Sequence, residues 1–129
     1  EKHHFPYNLS NPEDMRLALR YAGALHGEVN CSICGNGGIF TAQDVIAMLL
    51  AGADTVQVVS TLYKNQISHI STILRGLEDW MEGKEYGDLE SFRGKLSRRH
   101  STDPFAYTRA QYIDILMKSE AIFSRYPMR

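Results

Sequence analysis

Around Ile33 to Tyr63 two short, mostly apolar runs, the second rich in β-branched residues, flank a capped helical segment of about ten residues, and this alternation constrains the fold most. Val29 to Cys34 is bounded by Gly27 and Gly35 and reads as a buried parallel strand. Gly35-Asn36-Gly37-Gly38 is a turn, after which Thr41 caps a helix with Asp44 three residues on, in the pattern of a capping box. Val45, Ile46, Leu49 and Leu50 give that helix an apolar face, and Gly52 ends it. Asp54 to Val59 is the second strand, with Val56, Val58 and Val59 suiting a pleated, covered surface. A helix of this length between two parallel strands is a right-handed crossover, and Ser60-Thr61 is the turn that leaves it.

The flanks organise around this βαβ unit. Residues 1–10 read as an irregular segment, with Pro6 and Asn8 as breakers and His3-His4 borne on a loop. Asn11-Pro12-Glu13-Asp14 opens a helix over about residues 12–26, with Met15, Ala18, Leu19, Ala22 and Leu25 on one stripe and Gly27 at its end. Residues 66–82 form an amphipathic helix through Ile67, Ile70, Leu74, Leu77 and Met81. Leu89, Phe92 and Leu96 predict a short helix near 88–96, and residues 97–101 a linker. Asp103-Pro104 starts a last helix reaching about Ser124, with Tyr107 and Tyr112 as packing residues. The organisation expected is therefore an irregular segment 1–10, an α/β region 11–97, and a linker with a C-terminal helix over 98–129.

Composition narrows the function classes. The 129 residues are 43% hydrophobic and 22% charged with a formal charge of -1, a balance that gives no electrostatic footprint for nucleic acid or a membrane surface. The basic stretch Arg93, Lys95, Arg98, Arg99 reads as a solvated face. No apolar run is long enough to span a bilayer, and Glu1 to Pro6 has no signal-peptide h-region, so the expected location is cytoplasmic. Cys31 and Cys34 have CxxC spacing but no second ligand pair. On a strand they point to opposite faces, so they are expected to be buried thiols rather than a metal site or disulfide.

The chemistry lies at the strand ends, where parallel α/β folds bind ligands. Glycines at 35, 37 and 38 let backbone N–H groups approach an anion, and the following helix aims its N-terminus at the same place. Ser60 and Thr61 add hydroxyl and N–H donors at the neighbouring strand. One phosphate between two adjacent loops is the arrangement that closes (β/α)8 barrels. No Gly-Lys-Ser/Thr follows, and the glycine spacing fails the dinucleotide fingerprint. The residues alone leave open a non-enzymatic α/β interaction module whose glycine turns are only tight connections.

Asn36-Gly37-Gly38-Ile39 with Gln43-Asp44-Val45, Leu49-Leu50-Ala51-Gly52-Ala53, Val56-Gln57-Val58 and Leu62-Tyr63 resembles the C-terminal part of the dihydroorotate dehydrogenase family. Leu77 to Met81 and the Phe92-Arg93-Gly94-Lys95-Leu96 signature continue the likeness, which covers roughly residues 9–97. The resemblance implies an FMN-dependent oxidoreductase of pyrimidine biosynthesis, oxidising dihydroorotate to orotate. It implies a TIM (β/α)8 barrel, of which this chain holds the last two parallel strands with flanking helices, followed by a helical C-terminal tail. Gly37 and Gly38 match the glycine pair that binds the FMN phosphate, Val59 and Ser60 its second phosphate turn, and Asn11 a flavin-contacting glycine. Val59-Ser60 departs from the family's usual Gly-Thr, and the Val-Gln-Val-Val-Ser run looks like a dihydroorotate-dehydrogenase-like branch. The catalytic base and substrate-binding residues belong to earlier strands, so no catalytic residue is assigned here and the chain by itself is expected to be inactive, with weak or no FMN binding. A full barrel takes roughly 200–250 residues. The chain is therefore expected to be a portion of a larger protein that associates with the rest of the barrel or forms a homo-oligomer, with FMN and a small-molecule substrate as its ligands.

Overall fold

The computed structural model describes residues 9–105 and Arg109. Of the expected C-terminal helix only Pro104, Phe105 and Arg109, all helical, are described; the rest lies outside the described residues, as does the His3-His4 pair. The elements are α1 (Met15–Leu25), β1 (Cys34–Asn36), α2 (Ala42–Ala51), β2 (Thr55–Gln57), α3 (Ser60–Asn65) and α4 (His69–Gly83), with single 3-10 turns at Pro12–Asp14 and Arg98–His100. The sheet has two parallel strands, pairing Cys34 with Thr55, Gly35 with Val56 and Asn36 with Gln57. The architecture is thus α/β, a short parallel pair with helices packed on one side.

The expected capping box of α2 is present. Asp44 Oδ2 accepts from Thr41 N–H at 2.8 Å, while Thr41 Oγ1 accepts from Asp44 N–H at 3.3 Å. Gly52 ends the helix at φ +118, donating to Leu49 and Met48 carbonyls. This helix is the centre of the core. Val45, Ile46, Met48, Leu49 and Ala51 are buried together with Ala22 of α1, Ile73 and Leu77 of α4, and Phe92. α4 comes so close to α2 that a Cβ on Gly76 would lie 2.7 Å from that of Ala42.

The F-x-G-K-L segment has a structural role. Phe92 is fully buried against Trp80, edge-on at 5.0 Å, and Tyr86 at 5.2 Å. Gly94 and Leu96 N–H groups donate to the carbonyls of Leu49 and Leu50, satisfying the open C-terminal end of α2. The His26 ring fills the gap between Gly52 and Gly94, where a Cβ on either glycine would overlap it, and its Nδ1 lies 3.1 Å from the Gly52 carbonyl. Near the start of β2, Asp54 accepts from Ile33 N–H at 2.7 Å and meets Arg93 at 3.4 Å.

Several expectations shift. The first strand is Cys34–Asn36 rather than 29–34, because a strand extends only as far as its partner ladder and no described segment pairs with residues 29–32. Glu28 and Val29 instead donate back to the Leu25 carbonyl. The second strand is similarly shorter, Thr55–Gln57. Ser60-Thr61 is the first turn of α3 rather than an exit turn, and Gln66 at φ +69 separates α3 from α4, so the long helix begins at His69. Residues 88–96 are a series of turns in which left-handed Gly94 precludes a continuous helix. Leu25 is exposed rather than on the covered stripe. Both cysteines are exposed thiols, not buried ones. Cys34 faces away from the helices and Cys31 precedes the ladder, so no described layer covers either.

Candidate functional site

A cleft of about 290 Å³ opens where β1 and β2 end. Three segments line it: Leu9 and Ser10 before α1, Asn36 to Ile39 after β1, and Gln57, Val59 and Ser60 around the end of β2. The adjacency expected of the two strand-end turns is therefore present, and the loop before α1 joins them.

Gly37 and Gly38 both have left-handed backbone, φ +90 and +70, but do different things. A Cβ on Gly37 would meet nothing within 4 Å, so its missing side chain leaves open space. A Cβ on Gly38 would overlap the Met15 nitrogen and lie 2.7 Å from the Asn11 carbonyl oxygen. Gly38 is what lets α1 start against the loop. Gly35, expected in the same turn, is the middle residue of β1, where a Cβ would sit 3.0 Å from Met48 Sδ.

The loop is held from behind. Asp44 Oδ2 accepts from Phe40 N–H at 3.0 Å and Thr41 Oγ1 at 2.9 Å besides Thr41 N–H, while the Phe40 carbonyl accepts from Thr61 Oγ1 at 3.3 Å and lies 2.9 Å from His69 Nε2. The N–H groups of Gly38 and Ile39 have no hydrogen-bond partner among the described residues. Donors fixed in place and left unpaired on an open cleft are suited to an anion, because little ordering remains when it binds.

Ser60 is buried and its hydroxyl is engaged. It accepts from Ser10 N–H at 2.8 Å and lies 2.9 Å from Ser10 Oγ. Its side chain is therefore a tie between loops fifty residues apart in sequence, and Ser10 is a site residue that sequence reasoning did not single out. Thr61 is fully buried behind the loop and presents no donor to the cleft. Val59 has φ -133, outside the left-handed region, and its half-exposed side chain forms part of the rim. Asn11 is exposed at φ -105, with its N–H donating to Asp14 Oδ2 at 2.7 Å, and does not line the cleft.

Neither Cys31 nor Cys34 lines the cleft. Among the described residues no group of three or more His, Cys, Asp or Glu side chains is placed to hold a metal, and no helix is long and apolar enough to cross a membrane.

Comparison with known proteins fits this geometry. The chain is 45% identical over 82 residues to dihydroorotate dehydrogenase (fumarate) of Lachancea kluyveri, a match covering 62% of this chain and 26% of that protein. Probable dihydroorotate dehydrogenase A (fumarate) of Streptococcus pneumoniae is 44% identical over 81 residues, 61% of this chain and 26% of its own. The catalytic subunit of dihydroorotate dehydrogenase B (NAD(+)) from Alkaliphilus oremlandii is 36% identical over 88 residues, 68% and 29% respectively. The chain spans about a quarter of the length of the curated relatives it matches. The family model for dihydroorotate dehydrogenase matches residues 9–81, more than half of the sequence and all three segments of the cleft, and the chain belongs to that family.

Proposed function

We propose that this chain supplies the phosphate-holding part of the FMN site in an oxidoreductase that oxidises dihydroorotate to orotate. The observation that carries the reading is Gly37: left-handed backbone with empty space in place of a Cβ, on a cleft between the ends of two parallel strands. A phosphate monoester fits that space, since the donors around it are backbone N–H groups that a side chain would obstruct. When bound, FMN supplies a hydride acceptor. The chain's own part is to bind and orient. Gly37, Gly38 and Ile39 present N–H groups, Asp44 and Thr41 keep the loop in one conformation, and Ser60 ties the second turn to Ser10. Val59 and Ser60 contribute backbone at the second turn, with the valine methyls in place of the family's glycine. Asn11 acts one step back, through the carbonyl that Gly38 packs against. No described side chain is assigned as the catalytic base.

The same reading makes β1 and β2 the seventh and eighth strands of a (β/α)8 barrel. Cys34, Asn36, Thr55 and Gln57 are exposed on the sheet face away from the helices, the side a closed barrel would enclose. Apolar stripes stand uncovered on both flanks, through Leu17, Tyr21 and Leu25 of α1 and through Ile67, Ile70 and Leu74 around α4. Further β/α units, or another copy of the chain, would bury them. A compact, stable monomer in light scattering would count against this association.

The phosphate reading is tested by exchanging the matching quarter of the pneumococcal relative for this chain and titrating flavins by fluorescence. FMN should bind at least tenfold tighter than riboflavin, which lacks the phosphate, and Gly37→Ala should erase the difference. Equal affinity for the two flavins, or no FMN binding, overturns the proposal.

A further inference from the structure

Leu17, Tyr21 and Leu25 stand four residues apart on α1 and so share one face, 58%, 58% and 39% exposed. Val29 continues the stripe past the helix end, where its N–H donates to the Leu25 carbonyl at 3.3 Å, and it is 38% exposed. Four large apolar side chains in a row on a helix are a packing seam that still lacks its partner.

The chain itself returns to that seam. The 3-10 turn Arg98–His100 packs on α1, not on α4. A Cβ on Gly27 would lie 2.7 Å from Arg99 Cδ, and the His100 ring is 6.4 Å from that of His26. The turn is fixed there: Ser97 is buried with its N–H on the Gly94 carbonyl at 2.8 Å, and His100 Nδ1 lies 3.1 Å from the same oxygen. Four residues span at most about 14 Å, so Pro104 starts close to the C-terminal end of α1. Pro104, Phe105 and Arg109 are helical, and Phe105 is 84% exposed. Beyond them, Tyr112, Leu116 and Phe123 follow Phe105 in the sequence at steps of seven, four and seven. On a helix these four fall within about 40° of one another, a narrow stripe suited to packing against a single other helix. A helix from 104 to 124 would be about 30 Å long, more than the roughly 12 Å from Leu17 to Leu25. A tethered segment also meets the seam at a roughly millimolar effective concentration, which a second copy does not reach in dilute solution. The family match ends at residue 81, so this segment lies outside it.

We infer that residues 103–124 run back along α1 as an antiparallel helix and cover the Leu17-Tyr21-Leu25-Val29 seam with Phe105, Tyr112, Leu116 and Phe123. The inference does not rest on the flavin reading. The test is amide hydrogen exchange of the full chain at micromolar concentration. Amides of residues 108–122 should exchange at least tenfold more slowly than in an unstructured chain. In Leu17→Asp/Tyr21→Asp that protection should fall at least tenfold, while the α2 amides keep theirs, because both altered side chains are exposed. Ile67→Asp/Ile70→Asp, which charges the other exposed stripe, should leave the 108–122 amides as protected as before. Unprotected 108–122 amides in the unaltered chain, or protection that survives Leu17→Asp/Tyr21→Asp, overturns the docking. So does an equal loss in Ile67→Asp/Ile70→Asp, which would place the segment elsewhere, or loss of α2 protection with the α1 variant, which would make the seam part of the core. Protection that falls on tenfold dilution also overturns it, in favour of a segment held by a second copy.

Discussion

Gly37→Ala and Gly38→Ala add the same methyl group at adjacent positions of one turn, and the structure predicts different failures. At Gly37 the backbone is left-handed but the space is empty, so the change carries only conformational strain, about 1–2 kcal/mol. For a domain of this size each kcal/mol lowers the melting temperature by about 3–5 °C, so the variant is expected to melt only a few degrees below the unaltered chain. Its methyl would occupy the space offered to the anion, and phosphate affinity should fall at least tenfold. At Gly38 the same strain is joined by overlap with backbone at Met15 and Asn11, which no rotamer change relieves. The first turn of α1 must move, and a loss of about 3 kcal/mol or more is expected. Thermal melting followed by circular dichroism reads the stability half, and amide NMR titration with inorganic phosphate reads the binding half. Equal destabilisation by the two substitutions, or unchanged phosphate affinity in Gly37→Ala, would refute the division of labour argued for these glycines.

Three further outcomes follow from the packing. Phe92→Ala removes a fully buried ring held by Trp80 and Tyr86 and should destabilise the fold by about 3–5 kcal/mol in denaturant titration; a loss below 1 kcal/mol would show that Phe92 is not core. Asp44→Ala frees the Phe40 and Thr41 N–H groups together and should cost about 1–2 kcal/mol while weakening phosphate binding; unchanged binding would detach the capping box from the site. Hydrogen bonds from the Ser91 hydroxyl and N–H, at 2.7 Å each, hold the Asp88 carboxyl below its ordinary value. Its stabilising effect is therefore present above the unfolded-state value and lost as pH falls through the folded one. Carboxyl NMR showing Asp88 titrating at or above the ordinary aspartate range would contradict this.

Which parts were legible in the sequence follows from where their causes lie. α2 is readable at both ends because Thr41, Asp44 and Gly52 act on their own helix. β1 starts later than its composition predicts because the run from Val29 to Ile33 suits a strand, whereas ladder formation depends on the register with Thr55 to Gln57. The break between α3 and α4 falls at Gln66, a residue type with no turn signature, held at φ +69. The exposure of Cys31 and Cys34 depends on covering layers that residue type does not specify. At the site, the paired glycines were plain, but their separate tasks depend on how close α1 comes. The Ser10–Ser60 tie joins residues fifty apart and has no local signal. Gln57 did have one: an uncharged polar residue within Thr55-Val56-Gln57-Val58-Val59 contradicts a strand expected to be covered on both faces.

The proposed phosphate cradle and the exposed apolar flanks stand in different relations to the rest of the proposed barrel. Among the described residues, the contacts that shape the Gly37-Gly38 loop come from within residues 10–69: the α1 start through Asn11 and Met15, the second turn through Ser60 and Thr61, and α4 through His69. Those anchors pack on the α2-centred core, which is itself closed by Phe92 and the Gly94–Leu96 staple. On these contacts, the cradle's geometry is expected to be independent of what lies against Leu17, Tyr21 and Leu25 or against Ile67, Ile70 and Leu74. On the proposed reading, burial of those stripes should change stability and assembly, whereas the backbone donors of the loop should keep their positions. A phosphate monoester should consequently meet the same backbone donors in the chain alone and in a completed barrel, and the gain on completion should come from the part of the ligand beyond the phosphate.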